Sequence, residues 1–590
     1  GSLEPVTTAP FGYAWGGELI LERRDPADPK DDRLLVVLPG QSPPEDQPLA
    51  QKASGRTAGS GGVSMDMAYW GGGGMTRIVV LSLADRAAPR IEHEAWVDGT
   101  SAGTRLVDGA AHVVIQTWEQ PLGLRTWVGP GEEDLRAANL TYSQYDALSD
   151  DSRREVREAI ALRVDAENVR LLDEADLEEQ LPTVLRSRFG FLIPEAVSDE
   201  TCRGVLSLPQ ATGRAFTTIV SLGLSDAALP TKTLQVLGGS AIVYADSGAL
   251  VLASPSQDPW WFWAQPDLEE ATDLLWFDLA GIDVVPRASG RVVGTVLDSF
   301  SLDVHDGELR IATTVGQWGR TWLGGQVAPM VSQLVVFEEA AGALVPRGSV
   351  GGIAPGERIW SARFTDERAY LVTFRNMDPL WVVDLGDEVR ILGELEIPGV
   401  STYLHPLDDR TLLAIGYGPG AGGIDLDWSR VQVSLFDLSE LDRPRRADVI
   451  DLSPANGYSW SGATQEHRAF TYWEAIGTLA VPMTTTIMRE LPSSDPAYCC
   501  EYRHEQHIGL KLIDVDREAL QLSLRGEVDQ DILAQADSWG PGIERSWFLG
   551  YPDTGPVSVY SMSPLGVTAH DLFTLQRQAV VSFDPSRPAY

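Results

Sequence analysis

The sequence predicts an all-β fold: an eight-bladed β-propeller of four-stranded antiparallel blades, in a single domain over residues 1–590. Three observations lead there. One phrase, an alternating apolar run, a short polar or proline-containing turn and a second run, recurs eight times. Most copies follow a second phrase, a hairpin with a tight turn, so that each unit supplies four strands. The repeat recurs at roughly 40 to 60 residues, which is the period of a propeller blade. Seven blades is the alternative, if one copy pairs irregularly. Such a scaffold leaves the chemistry open, because function sits in its loops and channel.

The copies start at Thr76, Thr217, Thr272, Ser332, Asp378, Arg430, Gly509 and Gly555, separated by 141, 55, 60, 46, 52, 79 and 46 residues. The hairpin phrase appears as LVDGAAHVVIQTW, ADSGALVLAS, VHDGELRIATT, TDERAYLVTF, LDDRTLLAIGYG and HRAFTYW. Residues 41–65, rich in Pro, Gly and Ser, read as an exposed loop inside the first blade. The two long gaps hold insertions. The first, residues 143–181, breaks the β pattern: Ser149 or Asp150 can cap a helix, acidic residues follow, and apolar residues fall at helical spacing. One or two helices are expected, ending before Pro182 and packed on a propeller face. The second insertion, residues 484–507, reads as a loop carrying cysteine and histidine. The early strand ELILERR is expected to close the ring by completing the final sheet, which would protect both edges.

Composition narrows the function classes. With 84 acidic and 46 basic residues the formal charge is −38, a field that repels nucleic acid and anionic membrane surfaces. No run of 18 apolar residues is present, so no membrane-spanning helix is expected. The 18 tryptophans and 57 glycines fit packed aromatic faces and many tight turns. Few cysteines and an acidic surface fit an exported bacterial protein, and a monomer is expected. The Gly1-Ser2 start reads as a tag scar, with any export signal trimmed.

Within Pro355–Pro406 stands PGERIWSARFTDERAYLVTFRNMDPLWVVDLGD, followed by LGELEIPGVSTYLHP. Together with SLDVHDGELRIATT, VSLFDLSELDRP, HRAFTYWEAIGTLAVP and IERSWFLG, it resembles secreted bacterial and archaeal proteins named for a C-terminal β-propeller domain. The resemblance covers roughly Thr76 to the C-terminus. It implies an exported, multi-bladed propeller and carries over no reaction. In the motif itself, Glu357, Arg358 and Arg363 flank strands, where they can form ion pairs between blades or cap exposed edges. Asp378-Pro379 opens a strand, where a missing N–H is tolerated. Tyr403 and His405 fall on an inner strand, which in propellers lines the channel, and they are the ligand-binding candidates. The competing reading is a buried, hydrogen-bonded histidine.

The densest set of metal-capable side chains is Cys499 and Cys500 with His504 and His507, donors that suit zinc or copper. The two histidines are three apart, not the four of HExxH on a helix, and on a strand they face opposite ways. Oxidation is the competing fate: a disulfide involving Cys499 or Cys500, either with each other or with Cys202. No cofactor is expected; calcium is the ion that the acidic loops Asp25–Asp32 and Asp425–Asp427 would hold, though neither has EF-hand spacing. Tyr417–Gly423 is glycine-rich but leads to no helix, so it is not read as a phosphate loop. An eight-bladed count with adjacent cysteines is similar to quinone-dependent alcohol dehydrogenases, yet their repeated AxDxxTGKxxW motif is missing. Two functions follow. One is a non-catalytic exported scaffold that binds a protein, glycan or cell-surface component through loops on one face. The other is a metal- or cofactor-dependent enzyme, with its site in the channel or near Cys499–His507.

Overall fold

The computed structural model describes residues 17–23, 32–44, 47, 74–117, 124–125, 130–175, 181–195, 204–207, 215–238, 241–246, 248–256, 270–316, 330–374, 378–420, 426–492, 500–533, 541–552 and 555–583. These residues form mostly antiparallel sheets, with Leu206–Ser207 added in parallel to Thr231–Gly238, and in most sheets consecutive strands are neighbours; they divide into two compact units.

The unit within Pro10–Ala264 and Asp273–Ser289 begins with the hairpin Glu18–Glu22 and Arg33–Gln41, followed by Met75–Ser82 and Arg90–Asp98. The strand ELILE therefore belongs to the first sheet, paired residue for residue from Glu18↔Val37 to Glu22↔Arg33. The expected closing role is corrected: a connection this short closes a local hairpin at far lower entropic cost than a closure across the whole chain. Val184–Arg188 and Phe191–Pro194 extend the same sheet. In the second sheet Thr100–Val107 meets Ala110–Thr117 through Asp108-Gly109, both with positive φ (48° and 75°). Asp-Gly is the pair that a type I′ turn selects, and Asp306-Gly307 repeats it at 49° and 81°. Ala215–Gly223 and Thr231–Gly238 follow in the sheet. On the face between strands, His112 lies opposite Ser221, with Nδ1 2.9 Å from the Ser221 hydroxyl.

Three helices are described in this unit. The longest, Asp150–Asp173, starts at Ser149, whose hydroxyl accepts the Ser152 N–H at 3.3 Å. It buries Ile160 and Val164 and leaves Leu162 and Leu172 exposed. Two shorter helices, Glu132–Ala137 and Tyr142–Asp146, precede it. The second of these opens on a reciprocal cap: the Gln144 N–H donates to the Thr141 hydroxyl, and the Thr141 N–H donates to Gln144 Oε1. Asp134 ties the group together. Its buried carboxylate accepts from Arg125, Arg163 and the Gly131 N–H, and the Arg125 hydrogen bonds hold it down at about 2. No described helix is long and apolar enough to cross a membrane.

The unit from Gly290 onward repeats one plan. Leu302–His305, Glu308–Val315, Val331–Ala340 and Ala343–Ile353 run back and forth in order. Arg358–Phe364, Arg368–Phe374, Asp378–Asp384 and Arg390–Ile397 do the same, then Val400–Pro406, Thr411–Pro419, Leu426–Asp437 and Arg445–Asp451. Arg545–Gly550, Val557–Ser563, Gly566–Asp571 and Arg577–Ser582 form the last sheet. Middle strands are buried on both faces, as in Thr411–Pro419, whereas the last strand of a sheet, such as Arg445–Asp451, has no buried residue and mixes half-buried with exposed positions. Pro379 pairs with Glu396, while pairing on the other side begins at Leu380, so its missing N–H interrupts nothing.

The expected loop at 484–507 is corrected as well. Thr478–Pro492 and Cys500–Asp516 form one long ribbon, in register from Thr478↔Asp514 to Pro492↔Cys500. The β-branched run Thr484-Thr485-Thr486-Ile487 favours this extended pairing.

Candidate functional site

The first strands of adjacent sheets meet. Ser361 in Arg358–Phe364 donates its hydroxyl to the Ser401 carbonyl of Val400–Pro406 at 3.0 Å. Gly416 permits the neighbouring approach: a Cβ there would sit 1.8 Å from the Val400 oxygen. Two residues past Ser361 comes Arg363; past Ser401, after a bulge, come Tyr403 and His405, two residues apart and so on one face.

Around them the fold gathers aromatic rings from distant segments. Phe300, in the turn Ser299–Ser301, stands edge-on to Tyr403 (5.5 Å) and to His467 (4.9 Å), and the Arg363 guanidinium lies 4.9 Å above its ring. Phe470 packs against Tyr403 and His405 at 5.2 and 5.3 Å, and Tyr472 stands 5.7 Å from His405. Asp298 holds the Phe300 turn: one carboxylate oxygen accepts the N–H groups of Phe300 and Ser301 and the Ser301 hydroxyl. Arg363, Tyr403, His405, His467 and Tyr472 are all half-buried.

The electrostatics follow from burial. Desolvation, helped by the charge of Arg363, lowers His405 to about 4, so its ring is neutral at pH 7. Burial raises Tyr403 and Tyr472, which stay protonated, and raises Asp298 against the pull of its hydrogen bonds. The Tyr403 hydroxyl lies 3.5 Å from His405 Nδ1, a long contact that leaves both groups capacity for another partner. The arrangement is chemically a surface for stacking, with one cation and neutral donors and acceptors beside it.

Sequence reasoning singled out Tyr403 and His405, and the structure brings them together. It missed Phe300, His467, Phe470 and Tyr472, whose partners are far away in the chain. Arg363, expected to form an inter-blade ion pair or to cap an exposed edge, stacks on Phe300 and makes no ion pair among the described residues. Glu357 accepts the Thr373 hydroxyl at 2.7 Å, and Thr373 accepts the Trp381 indole N–H at 3.2 Å. Arg358 lies 4.6 Å above Trp360, whose ring meets Phe374 and the exposed Trp428.

The other candidates stay apart. His504 and His507 lie on one strand, opposite Met488 and Thr485, and His507 Nδ1 is 3.0 Å from Asp531. Cys202 and Cys499 lie outside the described residues, as do the side chain of Cys500 and most of Asp25–Asp32. Among the described residues no three His, Cys, Asp or Glu side chains gather where a metal would bind. Asp32 instead pairs with Arg86 at 3.0 Å, and Asp427 accepts the Ser429 N–H and hydroxyl. The His112–Ser221 pair, which spacing alone does not reveal, is completely enclosed and so out of a substrate's reach.

The family model described as "Beta propeller domain" matches residues 18–575, nearly the whole chain. The chain belongs to this family. Relatives of the chain include an uncharacterized protein of Methanocaldococcus jannaschii, 33% identical over 228 residues (37% of this chain, 33% of that protein). An uncharacterized protein of Archaeoglobus fulgidus is 34% identical over 224 residues (38% and 29%). The match thus spans about a third of the length of each relative. Among solved structures, Saccharomyces cerevisiae Sqt1 is similar at 11% identity and a TM-score of 0.33, over 64% of this propeller chain and 84% of that chain. That likeness extends no further than a general one.

Proposed function

We propose that this propeller is an exported, non-catalytic scaffold that binds a protein, glycan or cell-surface component through one face, with Tyr403 and His405 in the contact. One observation carries the reading: rings and imidazoles from four segments converge, half-buried, around a guanidinium. Such aromatic and arginine clusters anchor partners at binding surfaces. The eight recurring phrases support eight blades as part of this reading, and the family resemblance supports export.

Binding of the purified, labelled protein to intact cells and envelope fractions of its source organism tests it. Saturable binding that falls at least tenfold in Tyr403→Ala, with an unchanged unfolding midpoint, is the expected result. Binding indifferent to Tyr403 would remove this face from the function. One transition metal per chain, or a visible absorption band in natively purified protein, would replace the scaffold with the metal- or cofactor-dependent enzyme. Fractionation of the source cells that leaves the protein in the cytoplasm would refute export.

A further inference from the structure

We propose that Arg363 holds a carboxylate, and that the cluster around it accepts a ligand carrying one such group on a flat or ring-shaped body. The inference rests on the binding reading above and names its ligand class. Its starting point is a contrast among the arginines. Several of similar or deeper burial are neutralised by carboxylates: Arg33 by Glu92 at 2.7 Å, Arg310 by Asp303 at 3.3 Å, Arg347 by Glu308 at 2.6 Å and Arg525 by Asp514 at 2.8 Å. In a chain with 84 acidic and 46 basic residues, partners are abundant. Arg363 nevertheless makes no hydrogen bond and no ion pair among the described residues, and its guanidinium lies over the Phe300 ring.

Asp298 is the carboxylate whose field reaches Arg363, but its engaged oxygen is committed to the Phe300 turn. The guanidinium therefore keeps its planar fork of N–H donors, the geometry that takes a carboxylate through two parallel bonds. Phe300 fixes one face of that fork. The rings of Tyr403 and His467 stand beside it and offer surfaces on which a planar body can stack. Further along, the Tyr472 hydroxyl is buried without a hydrogen-bond partner among the described residues, a donor left for a polar group on the ligand. The overall charge of −38 sets the remaining condition: a polyanion is repelled at long range, whereas a small single anion meets one local cation.

Benzoate and its neutral isostere benzamide test this by calorimetric titration and saturation-transfer NMR on the full chain. Benzoate should bind saturably and at least tenfold more tightly than benzamide. Arg363→Met should abolish that difference, and Arg363→Lys, which keeps the charge but not the fork, should retain part of it. Circular dichroism and unfolding midpoints of both variants establish that they fold. Equal affinity for the two probes, benzoate binding unchanged in Arg363→Met, or no binding of either probe overturns the inference. Those outcomes leave Tyr403-dependent envelope binding standing, and loss of the latter is read in its own experiment.

Discussion

Acid should unfold this protein partly through one histidine. His112 is completely enclosed, and burial lowers it from 6.5 to about 4, with the nearby Gly281 backbone offsetting only a fraction of the cost. The sign follows from linkage. The unfolded chain takes up the proton near 6.5 and the folded chain only near 4, so the unfolded state binds more protons across that window. Stability is therefore full above pH 6.5 and falls with a slope of about 1.4 kcal/mol per pH unit inside the window. Integrating the two titrations gives a loss of about 2 kcal/mol between pH 7 and pH 5, and about 3 kcal/mol by pH 4. Urea denaturation of the parent and of His112→Gln at half-unit pH steps isolates the effect. His93 and His405, also lowered to about 4, contribute equally to both proteins and cancel in the difference. The gap between the two stability curves should narrow by about 2 kcal/mol from pH 7 to pH 5. Parallel curves across that range would show that His112 takes its proton in the folded protein as easily as in the unfolded one.

Two further substitutions test the packing beneath the site. Trp381 is half-buried against Leu371 and Val383 and donates to Thr373, so Trp381→Ala should cost about 2–3 kcal/mol, below the range for a fully enclosed tryptophan; an unchanged denaturation midpoint would refute that packing role. Gly416→Ala would place a methyl 1.8 Å from the Val400 oxygen and should cost more than about 2 kcal/mol by forcing the Tyr403 strand away. Unaltered stability, together with unaltered Tyr403-dependent binding, would show that the two strands can separate freely there.

The strands were legible because a period of two residues is a local property, written afresh in each hairpin phrase. Asp108-Gly109 and Asp306-Gly307 state their own turns. The ribbon at Thr478–Pro492 was obscured by the adjacent cysteines and histidines, which drew attention to chemistry, while its β-branched threonines carried the structural signal. The helix capping pair at Thr141 and Gln144 was likewise present in the sequence and needed only to be read. The site was legible by half. Tyr403 and His405 announced themselves by position on a first strand, but Phe300 and His467 enter through sequence separations that no local pattern encodes. For Arg363 the position beside a strand suggests an ion pair or an edge cap; that its guanidinium lies over Phe300 instead depends on the distant turn that Asp298 holds.

The apolar interior of the later unit has a consequence for how it opens. One continuous cluster runs through Val372 and Val382, then Leu404, Leu413 and Leu435, and on to Leu479, Val481 and Ile513, thereby crossing three successive sheets. No sheet in that run owns its core. Opening the middle one strips apolar cover from both neighbours at once, so the free energy of local opening approaches that of losing all three. Stability in such an array is a sum of contacts between nearest repeats, and the interior repeat has two. The first strand that carries Tyr403 and His405 belongs to the middle sheet, which places the half-exposed cluster on a repeat that shares its apolar interior with both neighbours.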